Sequence, residues 1–196
     1  GAVIRIRSPF ESRRSLFDVG IAGPLAGLVV AVPVVALGLL QVQTIAVPPD
    51  AAGGMLVFNE PLLFQWMARV IHGPRDPGTD FVMNPLLLAG WWGFFLTALN
   101  LLPVSQLDGG HVSYALLGDR HKYVGWATVA LFALVALNSR NLGFLVMLGL
   151  VLMMGVRHPP ALNDLTPIGR GRRLLGVVAL ILFLLLVTPD PFAGSL

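Results

Sequence analysis

Five apolar runs decide what this chain can become. They cover residues 17–40, 85–103, 123–137, 142–156 and 174–187. A helix that crosses a bilayer needs about 20 mostly apolar residues, within a range of about 17–25. The first two runs reach that length, and the first carries no charge after Asp18. The other three hold about 14–15 residues each, roughly 22 Å of helix. They span if His121, Lys122, Arg140, Arg172 and Arg173 snorkel to the interfaces and the flanks extend them. In the alternative arrangement the third and fourth runs form a helical hairpin, turned at residues 138–141, that does not fully cross. The expected fold class is therefore an all-α polytopic membrane protein with about five transmembrane helices.

Composition removes the competing classes. The chain is 56% hydrophobic and 12% charged, against about 45–50% and about 25% in soluble domains. A mean hydropathy of +0.79 excludes disorder as well. There is no cysteine, so disulfides and cysteine-ligated metal sites are excluded. A net charge of +3 and a pI near 10.2 suggest nucleic acid, but the basic residues form short clusters between apolar runs, where they report topology. With the N-terminus in the cytoplasm, one side holds Arg5, Arg7, Arg13, Arg14, Arg120, Lys122, Arg157, Arg170, Arg172 and Arg173. The other holds Arg69, Arg75 and Arg140, which completes the 13. This asymmetry predicts five crossings and a cytoplasmic N-terminus, in a multi-pass membrane protein.

Two shorter elements accompany the spans. Ile4 and Ile6 alternate with Arg5 and Arg7, which predicts a short N-terminal β-strand at residues 2–7 on the cytoplasmic side. In residues 61–71, Leu62, Leu63, Trp66, Met67, Val70 and Ile71 share one helical face, and Gln65, Arg69 and His72 another. This predicts an amphipathic helix at the outer interface, followed by a turn-rich loop at 73–78. In the first span, Ala22 with Ala26 and Gly23 with Gly27 predict close helix packing, while Pro24 and Pro33 predict a kink.

Chemistry concentrates where the second run ends, in Asn100-Leu-Leu-Pro103-Val-Ser105-Gln106-Leu107-Asp108-Gly109-Gly110-His111. Pro103 interrupts the helix and frees backbone carbonyls. Asp108 then stands on a turn, backed by two glycines that permit close approach. Such a carboxylate ligates a metal, neutralises a cation or carries protons; alternatively it caps a helix beginning near Gly110. His111 reads as an interfacial polar residue or a second ligand, and His72, His121 and His158 as solvated loop residues. The chain contains no His-Glu-x-x-His, no phosphate-binding loop and no Gly-x-Ser-x-Gly elbow.

Asn100-x-x-Pro103 followed by Leu107-Asp108-Gly109-Gly110 resembles the C-terminal motif of the site-2 protease family of intramembrane zinc metalloproteases. Residues 16–27, with Ala22-Gly23-Pro24, resemble the helix that follows the catalytic helix in that family, and residues 1–7 the strand before it. The similarity is to the bacterial and plastid-type branch, which implies a bacterial cell membrane, and covers residues 1–118. That segment is expected to be the C-terminal part of the protease core, with 119–196 as additional transmembrane helices. The resemblance implies an intramembrane endopeptidase that cleaves transmembrane protein substrates within the lipid bilayer, with Zn²⁺ held by two histidines of His-Glu-x-x-His and by Asp108. It gives Asn100 a supporting role at the site, and Val3, Ile4, Arg5 and Ile6 an edge-strand role in pairing with substrate. The histidine pair and glutamate base are missing from this sequence. The expectation is a chain lacking the N-terminal part that bears them, inactive by itself; the Gly-Ala-Val-Ile beginning, without methionine, points the same way. The alternative readings are a non-catalytic pseudoprotease or membrane adaptor that binds transmembrane helices, and an ion carrier coupled through Asp108.

Overall fold

The computed structural model describes residues 10–46, 57–139, 148–149, 151–153, 155–188 and 192–193. The expected strand at 2–7, with Val3, Ile4, Arg5 and Ile6, lies outside the described residues, as does most of the fourth apolar run. The chain is mostly helical. Six helices are described by their bounds: α1 (Arg13–Leu40), α2 (Leu62–His72), α3 (Pro85–Asn100), α4 (Asp108–Leu117), α5 (His121–Ser139) and α6 (Arg170–Leu186). The helix assignment of α1 runs through Pro24 and Pro33 without a break. Among the described residues, α1 is the one helix long and apolar enough to cross a membrane by length and composition, and α3 is a shorter apolar helix.

Short strands stand beside the helices. β1 (Thr44–Ala46) pairs antiparallel with β3 (Thr79–Phe81), Ile45 opposite Asp80, and β2 (Val57–Phe58) pairs antiparallel with β4 (Phe192–Ala193). Strands of two or three residues are too short to show a period-two pattern in sequence.

The chain divides into two compact units. The second unit holds residues 26–97 and 184–196. In it the C-terminal half of α1 packs against α3 through glycines on both helices. A Cβ on Gly93 would stand 2.9 Å from that of Ala31, one on Gly38 would stand 2.8 Å from the Leu87 nitrogen, and one on Gly90 would strike Val35. This close backbone approach is how helices associate in lipid, where burial against tails offers no gain. Trp91 is fully buried, with its indole Nε1–H donating to the Asn59 carbonyl at 2.9 Å.

The amphipathic helix forms where the sequence places it, as α2. It buries Phe64, Met67 and Ala68. Leu62, Trp66 and Val70 stay exposed, so much of the apolar stripe has no protein over it, the condition for a helix resting on a lipid interface. In the loop that follows, Gly73 and Gly78 take positive φ values of 81° and 78°. Arg75 there bridges Glu60 at 2.7 Å and Asp80 at 3.0 Å.

The first unit holds residues 1–25 and 98–183. Its core gathers Leu102, Val104, Val129, Val151 and Val156, with Leu107, Phe132 and Phe183 against them. One end of this unit is basic. The Leu162 and Asn163 N–H groups donate to the carbonyls of Phe10 and Glu11, both at 2.9 Å. Arg13 pairs with Asp164 at 2.8 Å and its guanidinium lies against Gly118. Arg14 Nε donates to the Pro167 carbonyl at 2.8 Å, and Arg172 pairs with Asp18 at 2.7 Å. The start of α1, the α4–α5 turn and the segment before α6 therefore meet at one end.

Candidate metal centre

Asp108 is the first residue of α4, where the chain folds back after α3. The turn at 101–107 is tight. Leu102 N–H donates to Leu99 O at 3.2 Å and Val104 N–H to Leu102 O at 2.8 Å. Ser105 is buried and takes a left-handed φ of 51°. α4 lies directly on this turn because its next two positions have no side chain. A Cβ on Gly109 would strike the Leu101 carbonyl and stand 2.6 Å from that of Leu102, and one on Gly110 would strike the Ser105 carbonyl and stand 2.6 Å from that of Val104. The Leu107-Asp108-Gly109-Gly110 string thus has a local physical reason. Two glycines seat the helix on its own approach turn and fix the direction in which Asp108 projects.

Asp108 projects toward the N-terminal half of α1. A Cβ on Gly23 would stand 3.0 Å from Asp108 Oδ2, and one on Gly20 would stand 2.9 Å from the Asp108 carbonyl oxygen and 2.7 Å from His111 Cβ. The small residues of α1 therefore leave room for the carboxylate. The helix-cap reading of Asp108 does not hold, because Leu107 is the N-cap residue and no side chain caps α4. Among the described residues the Asp108 carboxylate has no hydrogen-bond or ion-pair partner. Burial without a counter-charge pushes its pKa up to about 6. A half-buried carboxylate in that state has an uncompensated site for a cation.

The histidines depart from the sequence expectation. His121 and His158 are not solvated, being 2% and 8% exposed, and His111 is buried too; only His72 is exposed, with Nε2 hydrogen-bonded to the Leu39 carbonyl at 2.8 Å. His111 Nδ1 and His158 Nε2 are 2.6 Å apart. His158 Nδ1 stands 2.6 Å from the Pro159 carbonyl, which only accepts, so Nδ1 carries the proton. Burial lowers the pKa of His158 and, with His158 beside it, lowers that of His111 to about 4, so both rings are neutral. His158 Nε2 is then an acceptor and His111 Nδ1–H its donor, which leaves a lone pair on His111 Nε2. Tyr114 stacks on His158 with ring centroids 4.8 Å apart. His121 completes the cluster, its Nε2 donating to the Val156 carbonyl at 3.1 Å. This network ties α4 and the start of α5 to the segment at 156–159. Its partners lie 47 positions apart, and no short-range spacing announces it.

Asn100 is not joined to Asp108, and Val3, Ile4, Arg5 and Ile6 lie outside the described residues. Asn100 ends α3 with its side chain exposed, and no hydrogen bond joins it to Asp108 among the described residues. Nor, among the described residues, do three His, Asp or Glu side chains converge to hold a metal ion. What the described residues present is one carboxylate without a counter-charge, a group whose oxygens are of the type that ligates a borderline cation such as Zn²⁺.

Comparison with known proteins places this geometry in a family. The model of peptidase family M50 matches residues 1–137, and the chain belongs to that family. It is 34% identical over 199 residues to the probable zinc metalloprotease EGY1, chloroplastic, of Arabidopsis thaliana, covering 96% of this chain and 35% of the relative. It is 32% identical over 200 residues to EGY2 of the same plant, covering 98% and 34%. Against the probable zinc metalloprotease EGY3, chloroplastic, of Oryza sativa subsp. indica, identity is 27% over 210 residues, covering 97% and 35%. The chain thus spans about a third of the length of these curated relatives. The likeness also runs well past residue 118, where the motif-based resemblance stops, so the later helices share in it. No solved structure matches.

Proposed function

We propose that this chain forms part of an intramembrane zinc endopeptidase of the site-2 protease type and that Asp108 is one of its metal ligands. The observation that carries this reading is the Asp108 carboxylate, half-buried, without a partner among the described residues and fixed by Gly109 and Gly110 against the glycine face of α1. The other ligands and the general base come from a His-Glu-x-x-His helix outside this sequence, so the chain alone does not hydrolyse peptides. Zn²⁺, when bound, supplies a water of lowered pKa and Lewis-acid stabilisation of the oxyanion. The chain's own residues hold the carboxylate in place, exclude water through the apolar packing around α4, and anchor α4 through His111 and His158. Asn100, at the end of α3, lies on the approach to this turn and orients substrate. The substrate is a transmembrane protein segment.

The test is cleavage of a transmembrane reporter by the complete protein in liposomes. Removing the metal with a chelator is expected to lower the rate by at least about 100-fold, and added Zn²⁺ to restore it. Cleavage that persists in chelator sinks the metallopeptidase reading. Zinc binding without cleavage in any condition supports instead a non-catalytic protein that binds transmembrane helices.

The same reading sets the topology. Five spans with the basic end cytoplasmic, in a bacterial cell membrane, put Arg13, Arg120 and Arg157 on one side and the α2–α3 loop on the other. The chain has no cysteine, so single cysteines report cleanly. Arg120→Cys is expected to react with an impermeant thiol reagent only from the cytoplasmic side, and Asp76→Cys only from the opposite side. Labelling of both from one side rules out an odd number of spans between them.

A further inference from the structure

An apolar groove runs along α6 in the first unit. It has a volume of about 520 Å³ and is walled by Leu101, Pro103, Val112, Leu116, Leu180 and Phe183. Gly176 opens its floor, since a Cβ there would strike Leu116. Among the described residues Arg173 is the one charged side chain lining it. From Arg173 to Phe183 the helix rises about 15 Å, at about 1.5 Å per residue. The groove is therefore a long apolar slot with a cation at the basic end of the unit.

Among the described residues nothing neutralises the charge at that mouth. Arg172 is taken by Asp18 and Arg13 by Asp164. Arg173 is exposed and has no ion-pair partner among the described residues. It also sits in the first turn of α6, where the helix dipole is positive and no acidic residue is present. Cations at a helix N-terminus are unfavourable, so Arg170 and Arg173, neither in an ion pair among the described residues, leave a positive potential there. An anion at the mouth relieves it. A free anion uses only the mouth, and a neutral lipid uses only the slot.

We propose that this groove binds one acyl chain of an anionic phospholipid, with the phosphate paired to Arg173. The site depends on the membrane placement of the chain and not on its hydrolytic activity, so its test reads binding alone.

The experiment is native mass spectrometry of the detergent-solubilised protein with phosphatidylglycerol or phosphatidylcholine of identical acyl chains. The wild type is expected to retain phosphatidylglycerol about fivefold better, the weight of one cation beside an anionic headgroup. Arg173→Gln should erase that preference, and Arg173→Lys should keep it. Gly176→Leu, which fills the slot, should lower retention of both lipids, while circular dichroism shows the helices intact. Equal retention of the two lipids by the wild type, or an undiminished preference in Arg173→Gln, overturns the proposal. Glycerophosphoglycerol lacks acyl chains; if it displaces the lipid at equal concentration, the site is one for a free anion and the proposal fails. It fails too if a transmembrane helical peptide displaces the lipid and binds equally well to Arg173→Gln.

Discussion

Asp108→Ala in the complete protein is expected to reduce cleavage of a transmembrane reporter to below about one-hundredth of wild type and to lower the zinc content of the purified protein. Losing an outer partner of a metal ligand costs about 10–100-fold in affinity or activity, and removing the ligand itself exceeds that. The substitution should leave the fold intact, because the carboxylate makes no hydrogen bond or ion pair among the described residues. Burial has raised its pKa to about 6, so at neutral pH the metal-free wild type carries an uncompensated charge there. Truncation to alanine removes that charge, and the metal-free variant should unfold no earlier than the metal-free wild type. A structural residue behaves in the opposite way, with earlier unfolding and activity lost only in proportion to folded protein. Asp108→Asn separates charge from shape, keeping the volume beside Gly23 while giving up the anion. It should resemble the alanine variant in zinc content and activity. Full cleavage by either variant, with zinc retained, removes Asp108 from the metal site.

Much of this site is legible in sequence because its determinants are local. Pro103 and the pair Gly109-Gly110 lie within a few residues of Asp108, and the turn they build needs no distant partner. The helix α2 is legible for the same reason, since its apolar positions repeat at helical spacing. Which residues α2 buries is less so. Phe64 and Ala68 go inward while Leu62 and Trp66 remain outside, because the neighbouring elements cover only one edge of the stripe. The buried histidines were not legible at all. His121 and His158 look like loop residues beside charges and His111 like an interfacial polar residue or a second ligand, and the return of the segment after residue 155 onto α4 and α5 takes part in removing them from water. The same return brings Asp164 to Arg13 across a separation of 151 residues. The short strands escape sequence reading too. Thr44–Ala46 has all three residues exposed, and its pairing with Thr79–Phe81 is set by the helices that bring the two segments together.

Gly109→Ala is expected to cost more stability than any other single methyl added to this chain's described helices. The added Cβ meets backbone, the carbonyl carbon and oxygen of Leu101 and the carbonyl oxygen of Leu102. A side chain in the way can change rotamer, but a carbonyl moves only with its peptide plane. Here those planes belong to the turn that ends α3 and contributes Leu102 and Val104 to the core. Relief therefore requires α4 to lift off the turn, which opens that core and swings Asp108 from its place against Gly23. Overpacking a well-filled site costs about 1–3 kcal/mol, occasionally more, and the backbone contact places this variant at about 3 kcal/mol or above. The expected result is a large drop in thermal midpoint in detergent, with zinc binding lost in the fraction that still folds. Gly171→Ala is the matched control. It lies in α6 with nothing within 4 Å of the added Cβ, so helix propensity alone should stabilise it by up to about 1 kcal/mol. If the two variants unfold alike, α4 does not rest on the 101–105 turn, and the mechanism offered for how this sequence positions Asp108 fails with it.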